Sequence, residues 1–449
     1  TDLLEAVVHQ EATATTTGFC RFELQNKGFL HSHSKLFISL IPNADNSTAF
    51  LPQNIGIASV IEKAVLKVGN QVLNEISDWS NLHAIKSQFI DNEYQKEREQ
   101  YSTGRCINHR YTYKEGNGAQ SKVLSAKYGL DNGREYSGTA AAVGQLKQLP
   151  FSNMDGTSIN KISQSPVYAI DLVDLFPFLG RQELPLYQIN QPVTIELTWS
   201  KTNRDRVSVR GEAGSLVNKP YLIDRNELKF CADYIFYGAT DEMARFAAAN
   251  PVLEFAFEDY RLIKSTVGHA ALASGIVTNL GMANRMVSRV LTVLTETGEG
   301  DDAICNRYVG EAPEKTAATG QIGTIEYNLR YNDRFEYATN LTNPARIFNQ
   351  LIASEGIPFV TRQEYSGEQQ GITSATFENL QQNAANDDGI RGTFFTLGTR
   401  LTGKRIGQRG IELHLKINKM RSFPYNVRSY CEYLRRAVLS NGMFEVYNV

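Results

Sequence analysis

Strict alternation of apolar and polar positions dominates the chain. In Val193-Thr194-Ile195-Glu196-Leu197-Thr198-Trp199 every second residue is apolar, which predicts a strand with one face on a core and the other toward water. Ile411-Glu412-Leu413-His414-Leu415-Lys416-Ile417 repeats the pattern. Similar segments run over Leu36 to Ile41, Ala64 to Val68, Leu228 to Phe236, Arg289 to Leu294 and Ile325 to Tyr331. Gly69-Asn70, between two apolar runs, has the composition of a two-residue hairpin turn. Many short strands, with no regular alternation of strands and helices, predict an all-β sandwich or barrel.

Helical signals are few. Asp78 is placed to cap a helix carrying Trp79, Leu82, Ile85 and Phe89 on one stripe and running toward Glu99. Thr240 precedes a second, Asp241 to Ala249, which Asn250-Pro251 would stop. The third follows Thr342, opens with Asn343-Pro344 and continues to Ser354, with Gly356 beyond. Each is short and lies between strands, as a connector would.

Two stretches resemble each other. Phe176-Pro177-Phe178-Leu179-Gly180 precedes the strand at Ile195, and Phe394-Phe395-Thr396-Leu397-Gly398 precedes the strand at Ile411. A further mixed strand follows each, Leu228 to Phe236 and Arg428 to Val438. This predicts one β-domain occurring twice in the same strand order, divided near the helix at Asp241 to Pro251. The connections Thr103 to Ser165, Lys201 to Asn218, Glu296 to Gly323 and Arg362 to Arg391 are long and polar. Connections of that length in compact domains usually carry function or lie at an interface.

Composition narrows the function classes. The 449 residues include 46 Lys+Arg and 48 Asp+Glu, for a formal charge of −2. Neutralising a nucleic-acid backbone needs a surplus of cations, so no direct nucleic-acid binding is expected. Hydrophobic residues make up 42% of the chain, enough for a substantial core. No run approaches the roughly 18 consecutive apolar residues of a membrane-spanning helix, and Thr1 to Cys20 lacks a secretory pattern, so a soluble chain is expected. The five cysteines, Cys20, Cys106, Cys231, Cys305 and Cys431, are scattered and odd in number. They fit a reducing compartment and no zinc motif.

Candidate chemistry is sparse. Gly398 to Arg405 approaches a phosphate-binding loop, but Arg405 stands where the hydroxyl that ligates Mg²⁺ is required, and a strand follows instead of a helix. The segment reads as a basic loop between strands. His31 and His33 are spaced to project together, without a third ligand, and read as solvated or hydrogen-bonded. His414, on the polar side of its strand, suggests solvent or an inter-subunit contact. Asp301-Asp302 and Asp387-Asp388-Gly389 lack calcium-loop spacing. The glycosylation patterns at Asn46 and Asn340 read as incidental. No catalytic, metal or cofactor residue is assigned.

Three stretches resemble the double jelly-roll major capsid proteins of icosahedral DNA viruses, in the branch of polinton-like viruses, virophages and nucleocytoplasmic large DNA viruses. The first runs from Gly28-Phe29-Leu30-His31-Ser32-His33-Ser34 through the Gly69-Asn70 hairpin to the helix after Asp78. The second, and most specific, is Leu228 to Pro251, whose Thr240-Asp241-Glu242-Met243-Ala244-Arg245-Phe246-Ala247 resembles the connector between the two rolls. The third is Ser429 to Val449, with Leu439-Ser440-Asn441-Gly442-Met443. The helix Pro344 to Ser354 and the loop after Arg362 have no placed counterpart.

The resemblance implies an all-β chain of two consecutive eight-stranded jelly-roll sandwiches with a few short connector helices. Residues 1–240 would form the first roll, 241–251 the connector and 252–449 the second. It implies a non-enzymatic protein of the virion, assembled in host cytoplasm or nucleus as a pseudo-hexagonal homotrimer. Its partners would be neighbouring capsomers, penton and minor capsid proteins, with an internal membrane close by. The loops Thr103 to Ser165 and Glu296 to Gly323 would make trimer contacts and the outer face. Two other classes share the fold signals: a receptor- or carbohydrate-binding β-sandwich, and a glycosidase or lyase with paired carboxylates in a cleft.

Overall fold

The alternating segments fold as strands, and the sheets they build occur twice in the same order. The computed structural model describes residues 1–13, 15–42, 48–50, 55–90, 102–104, 121–123, 136–138, 167–180, 183–202, 208–210, 221–238, 240–297, 324–355, 396–418 and 424–449. The first set of strands is β1 (Asp2–Glu5), β2 (Gly18–Leu24), β3 (Lys35–Pro42), β4 (Ile61–Val68), β5 (Gln71–Ser77), β6 (Val167–Asp171), β7 (Val193–Trp199) and β8 (Lys229–Ala232). They pair antiparallel in the orders β1-β8-β3-β6 and β2-β7-β4-β5. Val7–Gln10 adds to β2, and Tyr221–Ile223 to the end of β3.

The second set is β9 (Val252–Gly268), β10 (Ile276–Gly281), β11 (Met286–Glu296), β12 (Ile325–Tyr331), β13 (Arg334–Phe335), β14 (Thr396–Arg405), β15 (Ile411–Ile417) and β16 (Pro424–Ser440). Its sheets run β9-β16-β11-β14 and β10-β15-β12-β13. Adding eight to every label of the first pair of sheets gives the second pair. Eight strands in two such sheets form a jelly roll, so the chain is an all-β double jelly roll. A last strand, β17 (Met443–Asn448), folds back on β16.

Alternation explains which face each strand buries. In β7, Ile195 opposes Phe22 on one side and Leu66 on the other, all fully buried. Between them Glu196 turns outward, where it meets Lys67. β15 buries Ile411, Leu413, Leu415 and Ile417 in the same way. Gly69, at φ +57, opens the β4–β5 hairpin, while Asn70 is not among the positive-φ residues. That combination matches a type II′ turn, which places glycine first.

Among the described residues, the helices of six residues or more are α1 (Trp79–Ile90), α2 (Thr240–Ala249), α3 (His269–Ser274) and α4 (Pro344–Glu355). Residues toward Glu99 lie outside the described residues. Asp78 has φ +51 rather than the extended backbone of an N-cap. Thr240 lies inside α2 instead of before it. The first described intrahelical bond of α4 runs from Ile347 N to Asn343 O, so Asn343 rather than Thr342 holds the cap position. Within the chain α4 takes the same place as α1: it follows β13 as α1 follows β5, and each has 12 residues.

Two expectations about the repeat need correction. The strands at Ile195 and Ile411 are equivalent, as β7 and β15, but the Phe-rich stretches before them are not. Pro177–Gly180 is a 3₁₀ turn between β6 and β7, whereas Thr396 opens β14, whose counterpart is β6. Gly398 to Arg405 is also no loop, because it pairs with β11 along most of its length. The register shifts near its middle, where Thr402 and Gly403 take positive φ. Most of the four long connections lies outside the described residues, as do Asp301-Asp302, Asp387-Asp388-Gly389, Cys106 and Cys305.

Candidate functional site: the seam between the two sandwiches

Two sheet edges meet where the rolls join. Among the described strands, β5 pairs only with β4, and β9 only with β16, and an edge of this kind needs cover. They do not complete a ladder with each other; side chains bridge them instead. Asn74 Nδ2 donates to Glu258 O at 3.3 Å and to Asp259 Oδ1 at 3.1 Å, while its Oδ1 accepts from Phe178 N at 2.9 Å. Arg435 Nη1 donates to Leu73 O at 3.0 Å and to Asp259 Oδ2 at 2.8 Å. Tyr433 OH also donates to Asp259 Oδ2, at 3.3 Å. One carboxylate of the second roll thus gathers donors from both rolls.

Aromatic packing continues the seam. Phe178 of the first roll stands edge-on to Phe257 at 4.9 Å and lies 5.7 Å from Phe255. Phe255 in turn stacks on Phe444 at 5.8 Å. Below them, Asn190 N donates to Gly442 O at 2.9 Å. The unusual length of β9 and β16 makes this possible, because their ends extend along the first roll.

The helix α1 closes the other side of the junction. Arg428 donates to the Asp78 carboxylate and to Thr295 Oγ1, and Tyr430 OH donates to Asp78 O at 2.9 Å. Further along, Lys86 Nζ donates to Glu355 Oε2 at 2.9 Å. Arg289 links Glu355 to Glu432, with 2.7 Å to each carboxylate. Tyr260 OH donates to the other Glu432 oxygen. Glu432 is fully buried.

Burial sets the electrostatics. It pushes the Glu432 and Asp259 carboxyls upward, even though Lys86 and Arg289 beside one and Arg435 beside the other act in the opposite sense. Burial also opposes the charge on Arg289, but Glu432 and Glu355 more than offset it and hold the guanidinium protonated. Buried pairs of this kind add little net stability, yet losing one partner strands a charge. They therefore act as fasteners that fix one geometry. The carboxylates are engaged by cations, amides and hydroxyls of the two rolls, an arrangement suited to rigidity.

The histidines and the Asn340 pattern weighed from sequence as candidate chemistry lie away from this seam. His31 and His33 have ring centroids 5.3 Å apart. His33 Nδ1 sits 3.4 Å from Asp171 Oδ2, and Lys35 binds the other Asp171 oxygen at 3.0 Å, so the pair is hydrogen-bonded as expected. Among the described residues, no group of three or more His, Cys, Asp and Glu side chains is placed to hold a metal. His414 lies against Phe335, with ring centroids 5.1 Å apart, on the outer face of the β15 sheet. Asn340 is exposed and accepts from Asn328 Nδ2 at 3.1 Å. None of Asn74, Asp259, Arg428, Glu432 or Arg435 was recognisable as a functional pair, because partners lie far apart in sequence. The available signal was the break in alternation where charges enter the β16 run Tyr430-Cys431-Glu432-Tyr433-Leu434-Arg435-Arg436.

No family model and no curated protein matches the sequence. Solved structures do match the fold. The mavirus major capsid protein superposes with a TM-score of 0.58 at 9% identity, covering 100% of this chain and 90% of that one. PBCV-1 VP54, fitted into a reconstruction of the virophage Sputnik, gives 0.55 at 9% identity, covering 100% and 96%. The Faustovirus major capsid protein gives 0.54 at 9% identity, covering 97% and 89%. Over nearly its whole length, then, this chain has the double jelly-roll fold of major capsid proteins from virophages and large DNA viruses.

Proposed function

We propose that the protein is a structural major capsid protein, working as a pseudo-hexagonal homotrimer that tiles an icosahedral shell. The observation that carries this reading is the exact repeat of strand order, joined by a buried seam that holds the two rolls at one angle. Residues 1–240 and 252–449 would be the two rolls and 241–251 their connector. Three copies supply six similar sandwiches around an axis, a closed heterologous ring. Neighbouring capsomers, penton and minor capsid proteins are its expected contacts in the virion, and no catalytic step is asked of it. A net charge of −2 suits dense packing of many copies, because mutual repulsion stays small.

Native mass spectrometry of the full chain tests the reading. One copy weighs 50.2 kDa, so a trimer weighs 3 × 50.2 = 150.6 kDa. A trimer at micromolar concentration is expected; a monomer throughout would refute it.

A further inference from the structure

The whole-chain charge of −2 conceals an uneven distribution. At one end of the second roll three turns meet: Met282 to Arg285 between β10 and β11, Asn332-Asp333 between β12 and β13, and Ile406 to Gly410 between β14 and β15. Hydrogen bonds stitch them together. Ile406 N donates to Arg285 O at 2.9 Å, and Asn284 N to Ile406 O at 3.0 Å. Asn332 Nδ2 donates to Arg405 O at 3.1 Å, and its Oδ1 accepts from Gly407 N at 2.6 Å. The three turns thus form one fixed platform.

Three arginines ring the first of these turns. Arg285 lies in it, with its guanidinium 4.5 Å from the centre of the Tyr433 ring. Arg405 ends β14 directly opposite Met286. The Arg261 guanidinium carbon lies 4.0 Å from the point where Gly281 would carry a Cβ. Arg261 and Arg405 are exposed, and Arg285 is half-buried. Among the described residues none of the three forms an ion pair. Carboxylates around them are already engaged: Asp333 by Arg409, Glu336 by Lys404, and Asp259, hydrogen-bonded to Tyr433, by Arg435.

We propose that this platform binds the phosphate backbone of a nucleic acid. A guanidinium presents a planar fork of donors that pairs bidentately with phosphate, and all three forks are left without a carboxylate. From Gly281 to Met286 the chain spans at most about 19 Å, while a duplex carries one charge per ~1.7 Å of its axis. Phosphates therefore outnumber the guanidinium groups along that length, and contact needs no particular register. Such contacts hold the backbone without reading sequence. The inference goes beyond the capsomer reading and rests on it only for orientation, since it turns this end of the second roll toward the contents of the shell.

Fluorescence anisotropy of a short labelled duplex, titrated with the full chain, tests it. Three neutralised phosphates give a slope of about −2.7 in log K against log salt, so raising salt from about 50 to 200 mM should weaken binding roughly fortyfold. Arg261→Gln, Arg285→Gln and Arg405→Gln should each make the slope shallower by about one, and the triple variant should lose binding. Thermal unfolding and mass photometry of each variant check that fold and oligomeric state are unchanged. Vesicles containing phosphatidylserine and a polyglutamate peptide are run beside the duplex. No binding to the duplex, undiminished binding by the triple variant, or capture by vesicles or peptide with the duplex left free would each overturn the proposal. A wild type that is trimeric without binding DNA would overturn this inference alone, and a monomer that binds DNA would overturn the capsomer reading alone.

Discussion

Asp78, at the head of α1 in the first roll, and Arg428, in β16 of the second, lie 350 positions apart and share a charge-assisted hydrogen bond. Each side chain is only 10% exposed. Removing the acid should leave a buried guanidinium without its counter-charge. Asp78→Ala is therefore expected to cost about 3–5 kcal/mol in urea unfolding. The double variant Asp78→Leu with Arg428→Leu should be less destabilised than Asp78→Ala, because no charge is stranded. Equal or greater loss in the double variant would contradict the fastener role.

That pair also shows where sequence reading stops. β7 and β15 were legible because each buries one face and wets the other, so alternation survives. β9 was not: Phe257 is buried and Phe255 covered by aromatic partners from both rolls, while Asp259 is buried with them. A strand covered on parts of both faces loses its period. The seam itself depends on which turns bring Leu73 and Asn74 beside Glu258 and Arg435, and spacing along the chain does not encode that. The doubling of the β pattern was visible, but its Phe-rich marker matched a 3₁₀ turn with a strand.

Glu432 should make the folded chain relatively more stable as pH falls. Burial raises the folded pKa of Glu432 above the ordinary 4.5. The folded chain therefore takes up this proton at higher pH than the unfolded chain does. Its stability contribution grows as pH falls from neutral through the raised pKa, is complete below about 4.5, and is lost as pH rises. Glu432→Gln removes the titration. The melting temperature of wild type relative to this variant should rise as pH is lowered toward 4.5, and a fall would contradict the assignment.

Gly442 occupies the left-handed region at φ +78, and its carbonyl accepts from Asn190 N across the junction. A Cβ there would lie 2.6 Å from Asn190 Cγ. Gly442→Ala should cost about 1–3 kcal/mol from strain and crowding together. Proteolysis near the junction should accelerate with it; an unchanged midpoint and cleavage rate would show that this contact is dispensable.

Burial pushes the Cys20 and Cys431 thiols up to about 12. Only a thiolate reacts readily, so neither should be alkylated by iodoacetamide at pH 8 until the fold is lost. Peptide mapping before and after denaturation reads this directly. Rapid native labelling of Cys431 would contradict the packed core of the second roll.

The central claim is that one chain supplies two equivalent sandwiches to a closed ring of six. Electron-microscopy class averages of the purified protein test it most directly. The account predicts threefold-symmetric particles with six lobes in a hexagonal outline. Isolated two-lobed particles, or rings with any other number of lobes, would contradict it.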